Sequence, residues 1–465
     1  MFFKPQHVHF VGIGGIGMSA IAEVLLSLGY QISGSDVRAS ATTQRLSDLG
    51  ASIMIGHREE NIGSAKAVVV TSALDPSNPE VAEARRLQIP VIPRGELLAE
   101  LMRLKFGIAI AGSHGKTTTT SMVAGILNNA GMDPTVVVGG KVAAMQGSNA
   151  RVGKSSLLVV ESDESDGSFL KLAPIIAVVT NIDREHLDHY SSIEEIRTAF
   201  TDFLNKVPFY GAAVICMEDE NVQQIFPSIK RRTIAYGRSA QMDLEIQEVV
   251  LSAGESTFAI KRRGEDLGNF TLNVPGIHNV LNATAALGVC LEVEIPIEQI
   301  RSGLAAFSGV DRRFSIRGVE QDVTVIDDYG HHPTEIRATL AAARLKQHGK
   351  IHVLFQPHRY SRTKHLMDEF GTAFHQADHL YLLDIYAASE PPMEGVSAQA
   401  LLERIRSYGH RSANYVASLD EGVAAVLDAV KPGDLVIVLG AGNVSQAADK
   451  ILERLKEREA NAAGG

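Results

Sequence analysis

Short, nearly continuous apolar runs recur along the chain, at residues 7–13, 67–71, 91–92, 106–111, 156–160, 175–180, 323–326, 351–355, 379–383 and 435–439. Runs of this kind read as parallel strands covered on both faces. Between them lie segments of helical period, such as 18–28, 118–130 and 278–289, the first two closed by Gly29 and Gly131. Strands alternating with helices predict α/β domains built on parallel sheets. The alternation starts three times, which predicts domains at 1–105, 106–311 and 312–465. The first and third read as Rossmann-like. From Asp243 to Val274 the period changes to two, with turn residues at Gly254 and Gly264, so a small antiparallel insertion is expected in the second domain. Pro333 stands at a favoured first helical position.

Composition supports this division and narrows the chemistry. A chain of 465 residues, 45% hydrophobic and 21% charged, is long enough for three cores and is not intrinsically disordered. A net charge of -10 argues against a nucleic-acid partner, so any anionic ligand must be met by locally clustered cations. Cys216 and Cys290 lie in apolar surroundings, which excludes a disulfide framework and a Cys-x-x-Cys zinc site and points to a reducing compartment. The apolar window from Val8 to Leu26 is interrupted by Gly12, Gly14, Gly15, Gly17 and Glu23, so no targeting segment or membrane insertion is expected, and the location is read as cytoplasmic.

The strongest motif is Ala111-Gly-Ser-His-Gly-Lys-Thr-Thr118, a glycine loop between an apolar strand and a helix. Backbone N–H groups and the helix dipole cradle phosphates there, Lys116 adds a point charge, and the Thr117 hydroxyl can reach Mg²⁺. It is a shortened P-loop, because Ile110 stands where the first glycine of the longer pattern falls. An earlier cluster, Gly12-Ile-Gly14-Gly15-Ile-Gly17, meets the dinucleotide fingerprint, with Asp36 near the ribose-binding position. By itself that cluster specifies a diphosphate-sized anion site, or tight packing of helix on strand. Glu161-Ser-Asp163-Glu164-Ser-Asp166 follows a buried strand, where carboxylates face the ligand crevice and suit Mg²⁺, though some of the four read as solvated. A third strand end carries Asp183, Glu185, His186, Asp188 and His189, dense enough for a second metal. In the last third, Asp327-Asp328-Tyr-Gly-His331-His332-Pro333 and Gln356-Pro-His-Arg359-Tyr-Ser-Arg362 follow successive strands. Two arginines three apart at a helix start can fork a carboxylate.

Taken in order, these motifs, together with Gly276-Ile-His-Asn-Val-Leu-Asn282 and Asp311-Arg-Arg-Phe314, resemble the Mur ligase family of ATP-dependent amide-bond formers over nearly the whole chain. The resemblance implies an N-terminal Rossmann-like domain for a UDP-sugar, a central P-loop ATPase domain and a C-terminal Rossmann-like domain for the amino acid. It implies ATP and two Mg²⁺ ions, and the substrates UDP-N-acetylmuramate and L-alanine, joined through an acyl phosphate in cytoplasmic peptidoglycan precursor synthesis. Gly112, Ser113, His114, Gly115, Lys116, Thr117 and Thr118 would hold the ATP phosphates, Asn279 and Asn282 the adenine, and Arg313 and Asp328 the phosphate and ribose. Gly14, Gly15, Gly17, Ser35, Asp36 and Ser72 would hold the UDP part, and His331, Arg359 and Arg362 the alanine. Metal ligands would be Thr117, Glu161 and His186, and the implied catalytic residues are Lys116, His186 and Arg313. Some members carry a modified lysine about 15 residues past the metal-binding histidine, where this chain has Phe200 and Thr201, so the second ion's ligand set stays open, with the acidic run as a source. Two alternatives remain at this point: a peptide-adding ligase acting on the same sugar nucleotide, and a nicotinamide-dependent oxidoreductase using only the first glycine cluster.

Overall fold

The computed structural model describes residues 6–71, 74–75, 77–139, 150–187, 189–346 and 349–463. Among these residues the strands form three sheets. In the first, His7–Val11 lies at the centre, flanked by Gln31–Asp36 and Ser52–Ile55 on one side and by Ala67–Val70 and Val91–Pro93 on the other, all parallel. The chain reverses direction of travel across the sheet at His7–Val11, which leaves the carboxyl end of that strand at a topological switch point. The first glycine cluster follows it directly.

The central sheet is larger. Phe106–Ala111 sits between Leu157–Glu161 and Ile176–Val179, all parallel and almost wholly apolar, as strands buried on both faces must be. The period-two segment becomes three antiparallel strands, Leu244–Leu251, Ser256–Arg262 and Glu265–Leu272. Tyr236 and Gly237 pair in parallel with Leu244 and Glu245, so the antiparallel strands extend the same ten-stranded sheet at its edge. In the third sheet Val323–Asp328, Leu435–Leu439, Ile351–Phe355, His379–Leu382 and Ala413–Tyr415 run parallel, and Ser315–Glu320 adds an antiparallel edge.

The cores show how these parts are joined. One apolar cluster runs from Phe10, Ile13 and Leu98 of the first sheet's layer through Ala109 and Val160 to Phe169, Phe200 and Phe203, so the first two parts share buried surface. The third sheet has its own clusters, around Phe355, Phe370 and Phe374 on one face and Val438 and Ile451 on the other. Cys216 and Cys290 are both buried and unpaired. Among the described residues no helix is long and apolar enough to cross a membrane.

Candidate active site

The phosphate loop is set by two close approaches. Gly112 has φ +132°, and a Cβ there would stand 2.1 Å from Thr180 Oγ1; Gly115 has φ +81°, and its Cβ would meet Asn282 Oδ1 at 2.5 Å. Only glycine fits either place. The loop is further pinned to the next strand end, where Asn181 Oδ1 accepts the His114 N–H at 2.8 Å and the Ser113 hydroxyl accepts the Asp183 N–H at 2.8 Å. The helix Lys116–Asn129 then points its N-terminus at the loop.

Lys116 Nζ donates to Gly112 O (2.6 Å), Ser113 O (3.1 Å) and Glu164 Oε1 (2.7 Å). Burial opposes its charge, but the Glu164 and Glu185 carboxylates outweigh burial and raise its pKa, so it remains an ammonium. Thr117 Oγ1 donates to the Glu161 carboxylate, 2.9 and 3.0 Å from its two oxygens, and the Gly139 N–H reaches Oε2 at 2.8 Å. Burial raises the Glu161 pKa, a cost that a nearby cation would remove. Hydroxyl and carboxylate are hard oxygen donors, the set that suits Mg²⁺. His186 faces elsewhere: its Nε2 lies 3.4 Å from Glu164 Oε1 and 3.9 Å from Glu185 Oε2, on a backbone with φ +56°. Expected with Glu161, it is instead grouped with Glu164 and Glu185, whose ligand atoms and its own lie within 4.8 Å of one another.

The third part of the chain supplies the opposite wall. Arg313 donates to Glu335 Oε1 at 2.8 Å, and both groups border a cavity of ≈700 Å³ together with His114, Thr117, Asn279, Asn282 and Asp328. That cavity is large enough for a nucleotide. The Asp328 carboxylate accepts N–H bonds from Phe314 (2.7 Å) and Gly330 (2.6 Å), so it shapes the turn beside the cavity as well as bordering it. The Asn279 amide donates to Pro275 O at 2.7 Å. Glu335 was not singled out from sequence, yet it is central. It is 3.6 Å from His114 Nδ1 and accepts the His331 N–H at 3.1 Å. Burial works against its charge, but Arg313 and His114 hold its carboxyl well below the usual range. The available signal was its position, two residues after a helix-opening proline, where a glutamate caps the helix start. Glu164 and Asp183 were legible only as members of acidic runs.

The two arginines diverge. Arg362 lies inside the helix Tyr360–His365 and donates to Glu185 Oε1 at 2.8 Å, whereas Arg359 precedes the helix at φ +69° and approaches Glu390 at 3.9 Å. They do not face one way, because the helix begins between them. Both still border a small cavity with Glu185 and His186. His331 Nε2 also points toward Glu185, at 3.8 Å. Burial and then the Arg362 charge push its pKa down to about 3, so it stays neutral.

At the first glycine cluster, Gly14 N–H donates to Asp36 Oδ2 at 2.9 Å. Gly15 opens the helix Ile16–Ser27, and a Cβ on Gly17 would meet Arg94 Nη1 at 2.7 Å. Ser35 departs from its expected place. It is fully buried, and its hydroxyl donates to Glu80 Oε2 at 2.5 Å within a network that includes His9 and Asn61. Ser72 and Asp188 lie outside the described residues.

The chain matches known proteins along most of its length. Residues 7–106 match the Mur ligase family catalytic domain, 110–290 the Mur ligase middle domain, and 312–442 the Mur ligase glutamate ligase domain. The UDP-N-acetylmuramate--L-alanine ligase of Solibacter usitatus is 64% identical over 98% of this chain and 97% of its own length. That of Syntrophotalea carbinolica is 54% identical over 99% and 100%. The crystal structure of the UDP-N-acetylmuramate-alanine ligase of Thermotoga maritima superposes with a TM-score of 0.79 at 29% identity, covering 97% of this chain and all of that one. On the family match along all three sheets and on these relatives, the chain belongs to the Mur ligase family.

Proposed function

We propose that the chain ligates L-alanine to the carboxylate of UDP-N-acetylmuramate at the expense of ATP, through an acyl phosphate. The observation that carries this reading is the convergence of Lys116, the Thr117–Glu161 pair, Arg313 and the Arg362–His331 pair on one crevice between the second and third sheets. The named activity of relatives at 54–64% identity supports the same choice. The first glycine cluster with Asp36 takes the UDP part, and the ≈700 Å³ cavity takes ATP, with Asn279 and Asn282 beside the base. Domain boundaries are placed near residues 106 and 311, and the compartment is taken as the cytoplasm.

In this scheme the muramyl carboxylate attacks the γ-phosphorus of ATP, the bond to the β,γ-bridging oxygen breaks and ADP leaves, and the N–H groups of the loop with Lys116 stabilise charge on the transferred group. Glu164 holds the Lys116 ammonium against the loop carbonyls, so the charge is aimed before the nucleotide arrives. Thr117 and Glu161 would hold Mg²⁺, which when bound neutralises phosphate charge and orients the phosphates. Glu164, Glu185 and His186 are the residues placed for a second ion. Arg313, braced by Glu335, lies beside the phosphate cavity. The alanine carboxylate is received by Arg362 and Arg359. Because Arg362 already donates to Glu185, the incoming carboxylate shares or replaces that partner. The neutral amine then attacks the activated carbonyl, the bond to the phosphate oxygen breaks, and the proton released from nitrogen leaves with the phosphate. Contact between the third part and the phosphate loop excludes the water that would hydrolyse the acyl phosphate.

The test is phosphate release with ATP, Mg²⁺ and UDP-N-acetylmuramate, comparing L-alanine, glycine, L-serine and the peptide that a peptide-adding relative would use. L-alanine is expected to support the fastest turnover. Turnover with the peptide alone would overturn the amino-acid assignment.

A further inference from the structure

Beside the phosphate loop, three side chains meet that the ligation scheme leaves without a task as ligands: His114, Asp183 and His332. The first two come from loops of the central sheet, and His332 directly precedes the helix Pro333–Lys346 of the third part. One ligand atom from each lies within 4.8 Å of the others. His114 Nε2 is 3.0 Å from Asp183 Oδ2, and His332 Nδ1 is 3.4 Å from that same oxygen. A tetrahedral ion with bonds of about 2.1 Å spaces its ligands about 3.4 Å apart; the His332–Asp183 edge already has that length, and the His114–Asp183 edge, now a hydrogen bond, has only to open slightly.

The protons point the same way. The Thr334 N–H donates to His332 Nδ1 at 3.3 Å, so that nitrogen carries a lone pair. It faces Asp183 Oδ2, itself an acceptor that takes the Thr334 hydroxyl at 2.6 Å. Two acceptors opposed at 3.4 Å repel, and in the metal-free site the His114 Nε2 proton on the same oxygen offsets this, the place a cation would take. His332 is only 2% exposed and its Nε2 has no hydrogen-bond partner among the described residues, so hydrogen bonding by that second nitrogen does not account for the burial of the ring. Behind His114, the Glu335 carboxylate stands 3.6 Å from Nδ1, the position from which a carboxylate orients a ligating imidazole.

We propose that His114, Asp183 and His332 form a transition-metal site, suited to Zn²⁺, that ties the phosphate loop to the third part of the chain. Two imidazoles and one carboxylate match zinc, with a fourth position left for water, whereas Mg²⁺ prefers the oxygen pair at Thr117 and Glu161. Binding displaces the His114 Nε2 proton and draws the His332 lone pair away from Thr334 N–H. Because His114 and Asp183 border the nucleotide cavity, a bound ion holds the third part against the phosphate loop at the cavity wall and hinders nucleotide entry. Zn²⁺ therefore inhibits phosphate release, and a chelator restores it.

Full-length protein is titrated with Zn²⁺ against a chromophoric chelator in excess Mg²⁺, and separately with Co²⁺ while visible d–d absorption is recorded. The expected result is one tight equivalent, a visible cobalt band, and a fall of about tenfold or more in zinc affinity for His332→Gln and Asp183→Asn. His186→Gln, in the neighbouring cluster, keeps the zinc affinity. Thermal melts establish that the variants fold, and His114→Gln supplies the same reading should His332→Gln not fold. Absence of a tight equivalent, undiminished affinity in the triad variants, or loss of zinc in His186→Gln instead overturns the proposal.

Discussion

The two glycine loops of this chain share one construction and differ in everything that chooses a ligand. Each follows a strand flanked on both sides by parallel partners and opens a helix, Ile16–Ser27 in one case and Lys116–Asn129 in the other. At the second loop a lysine, a threonine hydroxyl and a carboxylate stand ready, and glycine is forced twice by close approach. At the first there is no lysine. A carboxylate, Asp36, already occupies one of its N–H groups. Glycine spacing therefore specifies a concave backbone, and the side chains around it decide between a phosphate undergoing transfer and one that is merely gripped.

The comparison is most severely tested at Lys116. Lys116→Ala is expected to slow phosphate release about 10²- to 10³-fold, as loss of a single electrostatic stabiliser does; unchanged release would remove the second loop from the chemistry. Next in size is backbone strain. Gly112→Ala puts a Cβ 2.1 Å from Thr180 Oγ1 at a positive φ and should cost about 1–3 kcal/mol in urea unfolding. Gly15→Ala, whose Cβ would sit 3.3 Å from the Gly12 carbonyl oxygen at φ −61°, should cost less than about 1 kcal/mol. Equal losses would mean that the two loops are equally constrained. A third variant, Asp36→Asn, should raise KM for the sugar nucleotide about tenfold while leaving KM for ATP unchanged. A matching rise for ATP would show that the loops are coupled.

The smallest effect lies beneath the first loop. Burial disfavours the Glu80 charge, but hydrogen bonds from His9, Ser35 and Asn61 outweigh it and bring the pKa from 4.5 down to about 2. A carboxyl depressed in the folded state stabilises above its unfolded pKa, and that contribution fades as pH falls toward the folded value. Wild type should thus lose about 1 kcal/mol more than Glu80→Gln between pH 6 and pH 4, read from urea midpoints. Parallel loss in both proteins would show that Glu80 is not the group responsible.

Sequence pattern disclosed the strands, the three restarts and both loops, because each is local: a run, a spacing, a glycine. It did not disclose that residues 244–272 lengthen the central sheet, since only Tyr236–Gly237 against Leu244–Glu245 makes that join. Pairings across the fold were equally hidden. Lys116 meets Glu164 only because Phe106–Ala111 and Leu157–Glu161 lie side by side in the sheet, and Arg313 meets Glu335 only once the helix Pro333–Lys346 has packed, and no local pattern states either neighbour. Ser35 failed for a related reason. Alternation along its strand turns the hydroxyl inward to a buried carboxylate that arrives from another helix.

The buried cysteines have a practical consequence. Cys216 and Cys290 sit in the central sheet's apolar layers, and burial raises both thiol pKa values, that of Cys216 to about 11. Neither is a nucleophile while the central part stays folded. Maleimide chemistry on the native chain is thus expected to favour an introduced surface thiol over both, and a single cysteine placed on each side of the crevice can carry a donor and an acceptor dye. The distance between the second and third parts then becomes readable through every substrate addition, without altering a native residue of the site.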